Sequence, residues 1–277
     1  MTKYLIFGNG FIGNKFHDYL NESVLSAKHI ASMSDAESEI IKHKPKIVIN
    51  CIGKTGRPNV DWCENHKEET MDANVIVPYH IMQACLNNDA RFVTLGTGCM
   101  YEGDNNGKGF TEEDKPNFFG SFYSRTKIIS QTMLCEFDVL QLRLRMPLDD
   151  SPGERNLLTK ILGYNKIINA QNSASYMPDC LRIAKELMNK KAIGIFNLVN
   201  KGSFSHNELL EAYAKEKGSK PMIENISTDQ LDKITSARRS NCVLSTKKIE
   251  DLGIRVPEIH DAISRCVKNY CLKEASQ

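Results

Sequence analysis

An apolar run, Lys3-Tyr-Leu-Ile-Phe7, ends directly in Gly8-Asn-Gly-Phe-Ile-Gly13. A strand that feeds a glycine loop and then a helix leaves the chain few folds to choose from. Gly8, Gly10 and Gly13 fit the G-x-G-x-x-G spacing. Such glycines permit a tight turn, close approach of the backbone to a pyrophosphate, and close packing of helix on strand. The helix N-terminus adds amide donors and a dipole that favours phosphate. The helix extends to about Asn21, with Phe16, Tyr19 and Leu20 on its apolar face.

The alternation continues. Strands are expected near Val24–Ile30 and over Lys46–Asn50, Arg91–Leu95 and Val139–Leu144; helices are expected over Asp35–His43, Lys67–Asn87 and Ser121–Glu136. This pattern predicts an α/β fold with a Rossmann-type, doubly wound parallel sheet. Ligands bind beyond the carboxyl ends of such strands, so Gly8, Cys51, Thr97 and Arg145 should converge on one face. After Pro147 the pattern is less regular. Helices over Asn156–Leu162, Asp179–Met188, Ser205–Lys215 and Glu258–Leu272 mix with short strands over Ile193–Val199 and Cys242–Leu244. This reads as a smaller α/β substrate lobe. The expected division is 1–147 for a dinucleotide-binding domain and 148–277 for the lobe, with an element of the lobe lent back to the main sheet.

Composition excludes several classes. A formal net charge of +2 makes no case for nucleic acid or an anionic membrane. The first apolar run is too short to span a bilayer and runs into a glycine loop, not a signal-peptide pattern. Nine scattered cysteines, an odd count without a Cys-x-x-Cys pair, predict free thiols and a cytoplasmic, reducing compartment. The seven histidines show no ligand spacing, and no metal is expected.

Chemistry concentrates in Gly96-Thr-Gly-Cys-Met-Tyr101 and Gly120-Ser-Phe-Tyr-Ser-Arg-Thr-Lys127. Tyr123 and Lys127 are i, i+4 neighbours on one helix face. An ammonium near a phenol should favour the phenolate and lower the Tyr value from about 10. Tyr123 could then give a proton to a carbonyl being reduced, while Thr97 holds the same oxygen. Cys99 is the extra element, because plain reduction needs no thiol. By spacing alone it reads as a small buried apolar residue, and Lys160 as a solvated helix lysine. Asp35 is a candidate for the acid that binds a cofactor ribose, and equally for a helix N-cap. Ser32 and Ser34 could instead bond a 2′-phosphate, so NAD and NADP both stay open.

These residues carry a family resemblance. Thr55-Gly-Arg-Pro-Asn-Val-Asp-Trp-Cys-Glu64, the run from Phe110 to Lys127, and Leu142-Arg-Leu-Arg-Met-Pro147 resemble the nucleotide-rhamnose synthases. So do Arg155-Asn-Leu-Leu-Thr-Lys160, Ser205-His-Asn-Glu-Leu209 and Arg239-Ser-Asn241. These are extended short-chain dehydrogenases/reductases, related to dTDP-4-dehydrorhamnose reductase, that act as 3,5-epimerases and 4-reductases on UDP-4-keto-6-deoxyglucose. The glycine loop is one residue shorter than that family's usual form, and no basic residue for the adenosine phosphate stands out.

The resemblance implies reduction by NADPH, with NADH the other option, through Thr97, Tyr123 and Lys127. It also implies an epimerase pair, Cys99 and Lys160. Expected cofactor contacts are Gly8, Gly10, Phe11, Ile12 and Gly13, then Cys51, Gly53 and Asn74, then Tyr123, Lys127 and Arg145. A UDP-linked 4-keto-6-deoxy sugar, or its dTDP analogue, is expected against Arg57, Asn59, Thr97, Cys99, Asn117, Asn156 and Arg239. A chain of this length should take its substrate from a separate 4,6-dehydratase. The rivals are a reductase without epimerase activity, a GDP-fucose-synthase-like enzyme, and a non-catalytic NADP-binding regulatory subunit. A homodimer is expected through the helices over Lys67–Asn87 and Ser121–Glu136. Asp61 is expected to cap the helix that follows it.

Overall fold

The computed structural model describes residues 2–219 and 221–275. The first half alternates strand and helix: β1 Tyr4–Phe7, α1 Phe11–Tyr19, β2 Ser23–Ser26, α2 Met33–His43 and β3 Ile47–Asn50. Then come α3 Trp62–Asn65, α4 Lys67–Met71, a π-helical turn Asp72–Ile76 and α5 Val77–Asn87. β4 Arg91–Thr97, α6 Phe122–Leu134 and β5 Leu140–Leu144 complete this half.

Further along lie β6 Pro147–Leu148, α7 Leu157–Leu162, β7 Lys166–Ile168, β8 Ser175–Tyr176, α8 Met177–Asn189 and β9 Gly194–Asn197. α9 His206–Lys217, β10 Glu224–Ile226, α10 Thr228–Asp232, α11 Lys247–Asp251 and α12 Ile259–Glu274 follow.

Six strands form one parallel sheet in the order β2-β1-β3-β4-β5-β9. The central strand β1 is apolar on both faces because both are covered. Tyr4 and Ile6 pack on one side with Phe16 and with Met177 to Met188 of α8. Leu5 and Phe7 pack on the other with Ala36 and Ile40 of α2 and Ile81 of α5. The sixth strand, β9, comes from beyond Pro147, as does α8 beneath it. The remaining elements build a separate core in which Leu158, Phe204, Leu209, Ile263 and Tyr270 meet. Small parallel pairs, β7 with β10 and β6 with β8, edge this second region.

Several expectations need correction. The strand expected near Val24–Ile30 stops at Ser26, and the next residues become the wall of a cleft. Cys242 and Leu244 make only isolated bridges, to Gly103 and Phe110. The helix expected over Lys67–Asn87 is continuous but passes through a π turn just before Pro78. Proline has no N–H to give and its ring crowds the carbonyl one turn back, so the regular ladder must widen there.

Candidate functional site

The strand order reverses between β1 and β3, and the glycine loop sits at that switch point. A Cβ on Gly8 would lie 2.7 Å from the Cys51 carbonyl carbon and the Ile52 nitrogen; one on Gly13 would lie 1.9 Å from the Gly8 oxygen. Glycine is therefore demanded twice by backbone packed on backbone. At Gly10 nothing approaches within 4 Å of such a Cβ. Gly10 caps α1 without any side-chain bond, which leaves the amides of the first turn, Phe11 and Ile12 among them, for an anion.

A cleft of about 460 Å³ opens from this loop and is lined by Gly8, Asn9, Ile52, Lys54 and the 26–30 segment after β2. The arrangement fits a dinucleotide. Asn74, in the π turn, accepts from Lys54 N at 2.8 Å and donates to Lys54 O at 3.0 Å and Thr126 Oγ1 at 3.1 Å. It holds the chain after β3 against α6, beside Gly53. Cys51 is likewise a packing residue, its thiol pushed up by burial.

Asp35 is a cap. Ser32 and Asp35 form a reciprocal capping box on α2, and the Asp35 carboxylate also pairs with Lys28 at 3.2 Å. Those bonds, the one from Ser32 foremost, hold the carboxyl below the usual range. Two basic side chains, Lys28 and His29, line this cleft beyond β2. They were not evident in the sequence because they follow a strand that ends four residues earlier than its β-pattern suggests.

The second cleft, about 420 Å³, lies beyond the ends of β4 and β5 and faces the second lobe. Tyr123 lines it, buried on α6, whose start is held by Ser121 accepting from Ser124 N at 3.0 Å and by Glu64 accepting from Phe122 N. The buried Thr97 hydroxyl, which accepts from Cys99 N at 3.1 Å, lies near the Tyr123 phenol. Lys127 Nζ donates to Leu95 O at 2.7 Å, and burial brings its ammonium down to about 8.

The expected lowering of Tyr123 is not seen. Burial pushes the phenol up, and Lys127 does not counter it. Desolvation of a buried oxygen outweighs a cation turned to a backbone carbonyl. The phenol is thereby kept in its proton-donating form.

Cys99 and Lys160 line this same cleft, one from the end of β4 and the other from α7. Burial lowers the Lys160 ammonium, and the neighbouring Arg155 charge adds to this. Arg145, expected at the cofactor, instead turns its guanidinium to Cys99 Sγ at 2.9 Å, Asn172 Oδ1 at 2.6 Å and Ser240 O.

Asn59 and Arg239 line the cleft. Arg239 is held there by Asp61 in a bidentate pair at 2.9 and 2.8 Å. Asp61 is therefore not a helix cap: burial alone would raise its carboxyl, and the Arg239 bonds bring it below the ordinary value.

Three expected substrate contacts fall elsewhere. Arg57 is exposed and pairs with Glu154 at 3.6 Å. Asn117 spends its amide on the backbone of Glu102. Asn156 is fully buried, caps α7 and bonds Asp149 and Ser151, so it positions the helix that carries Lys160. Sequence reasoning did not single out Tyr164, Lys166, His206 or Arg238 for this lining. Their side chains come from separate elements of the second lobe, with no local spacing to betray them.

Fold and site define an NAD(P)-dependent enzyme of the short-chain dehydrogenase/reductase class. The NAD dependent epimerase/dehydratase family matches residues 5–139. The chain belongs to the epimerase/reductase family of nucleotide-sugar enzymes within that class.

It is 38% identical over 261 residues to an Arabidopsis thaliana trifunctional UDP-glucose 4,6-dehydratase/UDP-4-keto-6-deoxy-D-glucose 3,5-epimerase/UDP-4-keto-L-rhamnose-reductase, covering 89% of this chain. The chain spans only 39% of that relative's length. A bifunctional dTDP-4-dehydrorhamnose 3,5-epimerase/dTDP-4-dehydrorhamnose reductase of the same plant is 38% identical over 220 residues, 77% of this chain and 73% of that one. The crystal structure of the L780 UDP-rhamnose synthase from Acanthamoeba polyphaga mimivirus superposes with a TM-score of 0.91 at 35% identity, covering 96% of this chain and 99% of that one. Among the described residues, no helix is long and apolar enough to cross a membrane.

Proposed function

We propose that this chain is a bifunctional 3,5-epimerase/4-reductase that converts UDP-4-keto-6-deoxy-D-glucose to UDP-L-rhamnose with NADPH. The observation that carries the reading is one cleft lined by Cys99, Tyr123 and Lys160 together with Arg155, Arg238 and Arg239, and by no carboxylate among the described residues. Arg239, Arg238 and Lys166 have acids behind them, in Asp61, Glu102 and Glu224. Arg155 and Lys160 form no ion pair among the described residues, so the cleft suits a diphosphate.

The sugar's C4 oxygen would sit between the Thr97 hydroxyl and the Tyr123 phenol. Loss of a proton from C3 or C5 puts negative charge on that oxygen, where both donors stabilise it. Cys99 and Lys160 move the carbon-bound protons, so each carbon can be reprotonated on the other face. After both inversions, Tyr123 gives its proton to the same oxygen as C4 is reduced. The bound dinucleotide supplies the hydride. Lys28 and His29 favour a 2′-phosphate, hence NADPH over NADH. In this reading residues 1–147, with α8 and β9, hold the dinucleotide, and the rest of 148–277 holds the nucleotide sugar. Nine unpaired cysteines suit the cytoplasm.

The test is an incubation in D2O with UDP-4-keto-6-deoxyglucose and NADPH, read by mass spectrometry. Deuterium at C3 and C5 with NADPH oxidation is expected. NADPH oxidation without deuterium would reduce the reading to a plain reductase; neither signal, with the dTDP sugar also inert, would end it.

A further inference from the structure

Arg145 is 4% exposed, and its guanidinium donates to the Cys99 sulfur, the Asn172 amide oxygen and the Ser240 carbonyl. Its Nε is buried without any partner. A guanidinium does not lose its proton in proteins, and a buried cation is costly unless an anion faces it. The groups around this one are the Cys99 and Cys242 thiols, the Tyr123 phenol and the His206 imidazole. Among the described residues, Arg145 forms no ion pair with a carboxylate.

Of these, Cys242 gives its thiol proton to Gly98 O at 3.2 Å, and burial holds the Tyr123 phenol protonated. His206 is kept neutral, down at about 4, by burial and then by Arg145. Cys99 is left, with its sulfur 2.9 Å from Arg145 Nη1 and part of its surface open to the substrate cleft.

We infer that Arg145 is the counter-ion of a resident Cys99 thiolate, and that this pair fixes the direction of proton transfer. The assignment of roles rests on the epimerase reading. Cys99 sulfur takes the proton from the carbon next to the ketone, and the C–H electron pair moves to the enolate oxygen held by Thr97 and Tyr123. The Lys160 ammonium returns a proton to that carbon from the other face. The cycle closes when the Cys99 thiol and the Lys160 amine exchange protons with solvent. Arg145 moves no proton itself and acts through the Cys99 sulfur. It is a positioning residue, set by the Asn172 and Ser240 bonds.

The experiment is iodoacetamide alkylation of the full chain, read at the Cys99 peptide by mass spectrometry from about pH 6 to about pH 8. It needs no substrate, so it stands or falls apart from the epimerase reading. A resident thiolate alkylates at a nearly constant rate across that range, whereas an ordinary thiol gains about tenfold per pH unit. The flat profile is expected for the native chain. Arg145→Met should restore the steep one, with Arg145→Lys returning part of the flatness. A steep native profile would overturn the inference, and so would a flat one unchanged in a folded Arg145→Met chain. If Arg145→Met does not fold, the native profile alone decides.

Discussion

Each reactive side chain here owes its character to what surrounds it. Tyr123 keeps its proton because burial disfavours the phenolate. It is therefore an acid, and Tyr123→Phe should lower reduction of a pre-epimerised substrate by about 100- to 10,000-fold in an NADPH-oxidation assay. Cys99→Ser should separate the two activities. Deuterium uptake at C3 and C5 should fall by a similar factor, about 100-fold or more, while reduction of the pre-epimerised sugar stays within a few-fold. Equal loss of both would make the thiol structural. Lys127 adds a pH signature. Its ammonium loses the proton at about 8, so the charged form holds below that value and the amine above it. The kcat/KM for reduction should fall as pH rises through about 8, as the site loses this buried positive charge. A profile flat into the alkaline range would show that this charge is not required.

At the level of elements, the fold holds these residues through loops whose backbones touch. Gly13 shows the limit of tolerance: a methyl there would sit 1.9 Å from the Gly8 carbonyl oxygen. Backbone cannot move aside as a flexible side chain can, so Gly13→Ala should open the loop. NADPH affinity, followed by fluorescence titration, should weaken by at least about tenfold; an unchanged Kd would show that the loop is not the dinucleotide site. The helix of Tyr123 and Lys127 was readable as a helix, but what holds its start was not. Glu64, from α3, accepts from Phe122 N and supplements the local Ser121 cap. The Lys67–Asn87 helix was equally readable. Its π turn depends on Pro78, and it places Asn74 where the amide can bridge Lys54 and Thr126.

Across the whole molecule, the two halves meet at the substrate cleft, and ion pairs from distant sequence set its walls. Asp61 fixes Arg239, and Lys15 of α1 pairs at 2.6 Å with the buried Asp149 that anchors the α7 cap. Apolar side chains also remain exposed on the helices that flank the sheet, at Ile76, Leu86 and Ile129. We propose that these faces pair in a homodimer. Light scattering should return twice the 31.3 kDa of the chain, and Ile129→Asp should shift it toward the monomer. A monomeric native mass would refute this.

The sequence by itself determined the strand–glycine–helix start, the alternation that makes a parallel sheet, and the Thr97, Tyr123 and Lys127 set. These features are local, since periodicity, turn chemistry and i, i+4 spacing act within a few residues. Other features came only from the tertiary structure. It turned Arg145 to Cys99 and Asp61 to Arg239, and it brought Lys160 into the cleft. It left Arg57 and Asn117 on the surface, and it raised the phenol that local spacing alone would have lowered. Such outcomes depend on burial and on partners up to 178 residues away. Desolvation and ion pairing are set by the assembled surroundings, which no short stretch of chain contains.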